Sequence, residues 1–204
     1  MKKAAILGMT VALGLLLTAC DTASLLSTRS DTEQKQALKV TETTSLEKTT
    51  QYLKQVMPQK NHFKKVTTTK DILNIELKDY QLKGSNNDNE VSLIKILKTT
   101  AKSPMAHKGI TLLQTDKYVR NGKSKELLSY AIYYSKENLD KLNFEELQKK
   151  GKNDPKSLFT SATEYYLDSS YQRTNEHIRT LTPAKLTDTP IIPIYMGTYH
   201  VLSD

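Results

Sequence analysis

The stretch that decides the fold is ITLLQTDKYVRNGKSKELLSYAIYYS, residues 110–135, in which two strand-like runs flank an Asn-Gly pair. Both central residues of a type I′ turn need positive φ angles, which Asn and Gly adopt at the least cost. With Asn121 and Gly122 as the loop, the predicted cross-strand pairs are Tyr118 with Lys125, Leu113 with Tyr130, and Thr111 with Ile132. The stretch therefore predicts a β-hairpin and, with it, antiparallel pairing.

Strand and helix patterns precede this hairpin. Apolar Leu73, Ile75 and Leu77 alternate with polar residues, which is typical of a strand with one buried face, here from Ile72 to Leu82. Phe63 to Thr69 is predicted to be its neighbour. Helices are expected from about Ser45 to Met57, where Thr44 and Glu47 have capping-box spacing, and from about Asn89 to Ala101, capped by Asn87 or Asp88.

The chain after the hairpin is less regular. Asp154-Pro155 is typical of a helix start, and the inner side of that helix is expected to carry Leu158, Phe159, Ala162, Tyr165 and Tyr166. After Pro183 the chain is predicted to be extended. Pro190 and Pro193 would confine Ile191–Met196 to an edge strand or a packed arm, because proline cannot donate to a strand ladder.

The order of elements indicates the fold class. A helix-strand-strand unit occurs twice, at 45–82 and 89–135, which is either a duplication or chance. Tight hairpins produce antiparallel pairs, so the sequence predicts an α+β fold: a single domain over residues 45–204, with an antiparallel sheet and helices packed mainly on one face. This domain is long enough to fold without disulfides or metals.

The first twenty residues have the plan of an export signal. Met-Lys-Lys is followed by an apolar run from Ala4 to Ala19 and then by Cys20, the only cysteine in the chain. This run is short for a membrane-spanning helix. Leu17-Thr18-Ala19-Cys20 resembles the lipobox of bacterial lipoproteins. The alternatives are an ordinary secretory signal and a one-pass membrane anchor.

The lipobox resemblance, which covers only the leader, implies a location. In that family the cysteine thiol receives a diacylglyceryl group and a peptidase cuts just before it. Residues 1–19 would thus be removed, and Cys20 would anchor the protein to the outer face of the cytoplasmic membrane, as on a Gram-positive surface. Residues 20–44, rich in Ser and Thr, are expected to be a flexible tether. Four apolar residues in it are candidates for docking on the domain: Leu25, Leu26, Leu38 and Val40.

Composition excludes several classes of function. The formal charge is +8, but only four of the 30 cations are Arg, the residue suited to bidentate recognition of bases and phosphates. No sequence-specific nucleic-acid binding is therefore expected. The four histidines lack metal-ligand spacing, and no Gly-x-Ser-x-Gly or phosphate-binding loop is present. We expect a monomeric domain without catalytic residues, metal or cofactor.

Two groups of residues are candidates for binding. Lys95, Lys98 and Lys102 share one face of the second predicted helix, and Lys64 and Lys65 lie at the first strand. Together they would attract an anionic partner, such as a wall polymer or lipid headgroups, or they would simply solubilise the surface. The chain also has 11 Tyr and no Trp. A wet cluster of Tyr133, Tyr195 and Tyr199 would suit a partner surface, because tyrosine combines an apolar ring with a polar tip.

These features favour a non-enzymatic binding or accessory module of the cell envelope, whose partner is a protein, a peptide or an anionic wall polymer. The alternative is a surface hydrolase or accessory enzyme acting on wall material, with a site assembled only in the fold. Two carboxylates that converge in one cleft would favour the enzyme.

Overall fold

One six-stranded sheet organises the described part of the chain in the computed structural model, which covers residues 37–57, 62–80, 82, 88–120 and 122–199. The strands are β1 (Phe63–Thr69), β2 (Ile72–Lys78), β3 (Gly109–Arg120), β4 (Lys123–Ser135), β5 (Glu164–Leu167) and β6 (Ala184–Lys185). The helices are α1 (Leu46–Val56), α2 (Asp88–Thr100), α3 (Lys136–Lys141), α4 (Phe144–Gly151), α5 (Lys156–Thr160), α6 (Ser169–Thr174) and α7 (Ile192–Thr198). The predicted α+β class is confirmed.

The strands lie across the sheet in chain order, and one neighbouring pair is parallel. β2 and β3 run in the same direction because α2 connects them and returns the chain to the starting end of the sheet. The other neighbouring strands are antiparallel. The expectation of a purely antiparallel sheet is therefore corrected at this pair, which joins the two helix-strand-strand units.

A β-bulge at Ser129 changes the predicted register of the central hairpin. Tyr118 faces Lys125 as expected, but the register shifts by one residue between Gln114 and Thr115. Beyond the shift Leu113 faces Ala131 and Thr111 faces Tyr133, so these two predicted pairs are wrong. A bulge inserts one extra residue into one strand, and no alternation pattern counted from the turn includes it.

The C-terminal third differs most from the sequence prediction. Its predicted helix ends at Thr160, and Tyr165 and Tyr166 belong to β5, because the Thr163 N–H donates to the Tyr133 carbonyl at 2.9 Å and draws the chain into the sheet. The segment expected to be an edge strand or an arm is α7, which has Pro193 in its first turn. Proline suits that position because its missing N–H has no intrahelical partner there.

Residues just before α1 pack on the domain. Thr43 is fully buried, and its hydroxyl lies 2.7 Å from that of Ser103. The Leu38 N–H donates to the Gln55 side chain at 3.2 Å. The cap of α1 is Ser45, whose hydroxyl accepts from the Lys48 N–H at 3.2 Å, and not Thr44. The ordered domain thus includes residues that the sequence placed in the tether, whereas Leu25 and Leu26 lie outside the described residues.

Both faces of the sheet are covered, but unequally. The larger core lies under α1, α2, α4 and α5 and contains Leu73, Ile75, Ile110, Leu112 and Ile132. The smaller core lies under α7, and its buried members are Ile72, Leu113, Leu128, Ala131, Tyr133, Tyr166, Ile192 and Tyr195. Alternate residues of one strand supply the two cores because successive side chains point to opposite faces.

Candidate functional site

A cleft of about 970 Å³ opens beside the outer part of the β3–β4 hairpin. The hairpin extends beyond the neighbouring strands. β2 pairs with β3 only as far as Thr115, and β5 pairs with β4 only from Tyr130 onward. The projecting strands form one wall of the cleft, and α6 with the segment after it forms the other. The length difference between neighbouring strands therefore creates the cleft.

The Ser129 bulge joins two acidic side chains that line the cleft. The Ser129 hydroxyl donates to Oδ2 of Asp116, and the Ser129 carbonyl accepts from the Asp168 N–H at 2.9 Å. Asp116 also accepts from the Gln114 amide, with both of its oxygens at 3.1 Å. Bulges often occur next to functional sites, where they redirect a side chain. Here Ser129 contacts the Asp116 carboxylate through its side chain and the Asp168 backbone through its carbonyl.

Asp168 is buried, with 5% of its surface exposed, and only one of its oxygens is satisfied. Oδ1 caps α6 by accepting from the N–H groups of Ser170 at 2.8 Å and Tyr171 at 3.3 Å. Oδ2 is shielded from water and has no hydrogen-bond partner among the described residues. Burying a charged oxygen without a partner costs free energy, so such an atom in a cleft wall indicates a place for a donor.

A buried polar layer lies next to this cleft. Glu90 and Tyr130 are both buried. In the part of the chain that the structure describes, the two carboxylate oxygens of Glu90 and the Tyr130 hydroxyl have no hydrogen-bond partner. The Tyr130 ring lies 5.5 Å from that of Tyr171, which lines the cleft. Burial raises the pKa of Glu90 from 4.5 to about 7. This carboxyl group is therefore partly protonated near neutral pH.

The structure separates the lysines that were predicted to form one basic patch. Lys95, Lys98 and Lys102 are exposed on or just after α2, which packs over the larger core. Lys64 and Lys65 instead bind Glu76 at 2.7 Å and 3.2 Å, on the α7 side of the sheet, and Lys64 also binds Glu126. A bulge in β1 allows both lysines to reach the same carboxylate. The single patch is therefore wrong, and of the five predicted lysines the three at α2 form no ion pair with a described residue.

Glu76 is the centre of that ion-pair cluster. Burial alone would raise its pKa, but hydrogen bonds from Lys64 and Tyr199 and the charges of Lys64 and Lys65 outweigh burial, so the pKa lies below its ordinary value. The pKa of Lys64 is raised although burial opposes this, because Glu126 and Glu76 both stabilise the ammonium form. Both shifts favour the charged pair, which is therefore a structural contact.

Tyr133, Tyr195 and Tyr199 do come together, but as packing and not as a wet surface. Tyr133 and Tyr195 are buried between α7 and the sheet. Tyr195 donates to Asn74 at 2.7 Å, and Tyr199 donates to Glu76 at 2.6 Å. Burial raises the pKa of Tyr195 to about 12. The predicted partner surface is thus the contact that fixes α7.

Lipidation, metal binding and membrane-spanning helices do not involve the described cleft residues. Cys20 lies outside the described residues, so its lipidation stays a prediction. Within the described ranges, no group of three or more His, Cys, Asp or Glu residues could hold a metal ion. No helix among these residues is both long and apolar enough to cross a membrane.

Sequence reasoning missed Asp116, Ser129 and Asp168. Two weak signals were present in the chain: Leu127-Leu128 breaks the alternation of β4 next to the bulge, and Asp168-Ser169-Ser170 is typical of a helix cap. Neither signal indicates that the two aspartates meet, because they are 52 positions apart and β4 brings them together.

The chain was compared with protein families, curated proteins and solved structures, and no match was found in any of the three. Its class is therefore defined by its own geometry: an α+β domain with a cleft beside a projecting hairpin.

Proposed function

We propose that the protein is a membrane-anchored, extracytoplasmic lipoprotein whose domain binds an envelope ligand in the cleft without turning it over. The observation that carries this proposal is Asp168, a buried carboxylate with an unpartnered oxygen in the cleft wall. The cleft volume lies at the upper end of the roughly 300–1,000 Å³ typical of ligand sites. The leader supports the location through the lipobox resemblance at Cys20.

Photo-crosslinking in intact cells tests the binding role. A photoreactive residue replaces Tyr118, which lines the cleft and is 45% exposed, or Leu186, which is 49% exposed and does not line it. We expect an adduct from position 118 and none from position 186. Thr174→Trp, which places a bulky ring at the cleft, should abolish the adduct. Equal adducts from both positions, or an adduct that survives Thr174→Trp, would show that the cleft does not bind the partner.

A second candidate function is a wall-acting hydrolase, because Asp116 and Asp168 line the same cleft. Glycoside hydrolysis commonly uses two carboxylates on either side of the scissile bond. Incubating the purified protein with cell-wall polymer separates the two candidates. Release of new reducing ends by the wild type, lost in Asp116→Asn, would establish the hydrolase. The binding proposal predicts no release from either protein.

A further inference from the structure

We propose that the cleft recognises a peptide through the ammonium group of a lysine side chain, seated against the carboxylates of Asp168 and Asp116. This inference rests on the proposed binding function and adds the chemistry of the ligand. The inference follows from the Asp116 and Asp168 carboxylates, which form no ion pair with a described residue.

Neither aspartate has a cationic partner among the described residues. Within the described ranges, Asp116 accepts only from the neutral Ser129 and Gln114 side chains, and the Asp168 side chain accepts only from backbone N–H groups. Ser129 connects the two residues, because its hydroxyl donates to Asp116 and its carbonyl accepts from the Asp168 N–H. A cation bound between them would stabilise both.

An ammonium group fits this arrangement better than a guanidinium group. The planar guanidinium fork prefers two parallel acceptor oxygens on one carboxylate. Asp168 offers only Oδ2, since Oδ1 caps α6, and both oxygens of Asp116 already accept from Gln114. An ammonium group instead has three separate donors and can approach a single free oxygen on one residue while contacting another.

The remaining surface of the cleft indicates that the ligand is a peptide. The volume exceeds what a lone amine would fill. Lys78, Lys117 and Arg179 line the same cleft, are exposed, and form no ion pair with a described residue. A cleft with unpaired acids in its wall and free cations beside them is complementary to a ligand that carries both an ammonium and a carboxylate group.

The test uses two peptide probes and the full chain, purified in detergent from bacterial membranes. The first probe is N-acetyl-Ala-Lys-Ala, and the second is the same peptide with its lysine side chain acetylated, which removes only the positive charge. Calorimetry should show that the wild type binds the first probe at least tenfold more tightly than the second. Asp168→Asn should lose this preference and weaken binding of the first probe at least tenfold.

The matched control is Asp154→Asn. Asp154 also accepts a backbone N–H at a helix start, from Lys156 at 3.0 Å, but it is exposed and does not line the cleft. This variant should bind like the wild type. Asn caps helices about as well as Asp, so both variants should keep the unfolding midpoint of the wild type.

Three results would overturn the inference: equal affinity for the two probes, unchanged binding by Asp168→Asn, or no binding of the first probe at millimolar concentration. If one of them occurs while the crosslink from position 118 persists, the cleft binds a ligand of different chemistry and the proposed function stands. If the crosslink is also absent, both proposals fail.

Discussion

Glu76 and Glu90 are both buried glutamates, but their surroundings shift their pKa values in opposite directions. Glu76 meets two lysines and a tyrosine, so its lowered pKa contributes stability above the unfolded value, and that stability is lost as the pH falls through the folded value. Glu90 meets no cation among the described residues. Its raised pKa means that ionisation of Glu90 at higher pH lowers the stability of the folded state.

The contribution of Glu90 to stability should therefore decrease as the pH rises from 4.5 to about 7, the unfolded and folded pKa values of this group. Below this window the group is protonated in both states and contributes nothing. Above it, ionisation in the buried site costs about 3 kcal/mol, since one pKa unit corresponds to about 1.4 kcal/mol.

Glu90→Gln mimics the protonated form and should remove this cost. We expect a higher free energy of unfolding than wild type at pH 8, and equal values at pH 4, in urea denaturation of residues 21–204. Glu145→Gln, on an exposed position of α4, serves as the control and should not differ from the wild type. A Glu90→Gln protein that is not more stable at pH 8 would show that Glu90 ionises without a burial cost.

At the scale of elements, α2 has two distinct sides. Leu93, Ile94 and Leu97 pack in the larger core, whereas Lys95 and Lys98 are exposed, and Lys102 follows on the exposed side of the next turn. The lysines predicted at β1 are neutralised by Glu76, so α2 carries the free basic surface that the sequence suggested. Attraction to an anionic surface is worth about 1 kcal/mol per lysine near it and is weakened by salt.

Changing Lys95, Lys98 and Lys102 together to Gln should weaken binding to phosphatidylglycerol vesicles at least tenfold and flatten its salt dependence. Co-sedimentation over a range of NaCl concentrations measures both effects. The control changes Lys54, Lys123 and Lys149, which are exposed on α1, β4 and α4, and removes the same net charge. If both triple variants lose affinity equally, overall charge and not the α2 face attracts the vesicle.

At the scale of the whole molecule, the domain and the leader have separate roles in the proposal. The domain supplies a sheet with cores on both faces and a cleft beside its longest hairpin. In that proposal the leader determines the location through lipidation of Cys20. Two acyl chains give durable anchoring, since each buried methylene contributes about 0.8 kcal/mol, whereas a single chain gives only marginal binding.

Cys20→Ala should block lipid labelling and leave the uncut precursor in the membrane fraction, because the lipobox resemblance implies a peptidase that acts only after the thiol is modified. Metabolic labelling with a fatty acid, followed by fractionation and immunoblotting, measures both effects. The domain should still fold, since the described residues begin at position 37. Release of a correctly cut, soluble protein by this variant would exclude the lipoprotein interpretation.

Local chemistry explains what the sequence determined by itself. The hairpin that pairs Arg120 with Lys123, the strand β1 and the end of α1 at Val56 depend on residues close together in the chain, and the predicted bounds of β1 agree with the structure. The α+β class follows from the period-2 alternation and from the repeated helix-strand-strand order. The exposed lysines of α2 were predictable because helix periodicity places them opposite the buried residues.

Tertiary contacts decided the rest. The α7 helix starts where Glu164, on β5, accepts the N–H groups of Ile191 and Ile192 at 2.8 Å and 3.0 Å, and no local pattern could indicate a cap 27 positions away. Lys64 and Lys65 form ion pairs with Glu76 and are not free to bind an anionic partner. Tyr133, Tyr195 and Tyr199 pack between α7 and the sheet and do not form an exposed surface. The candidate site depends on the Ser129 bulge and on β5 pairing with β4. Each of these features joins residues that are distant in the chain, so sequence periodicity, which reports only on near neighbours, does not contain them.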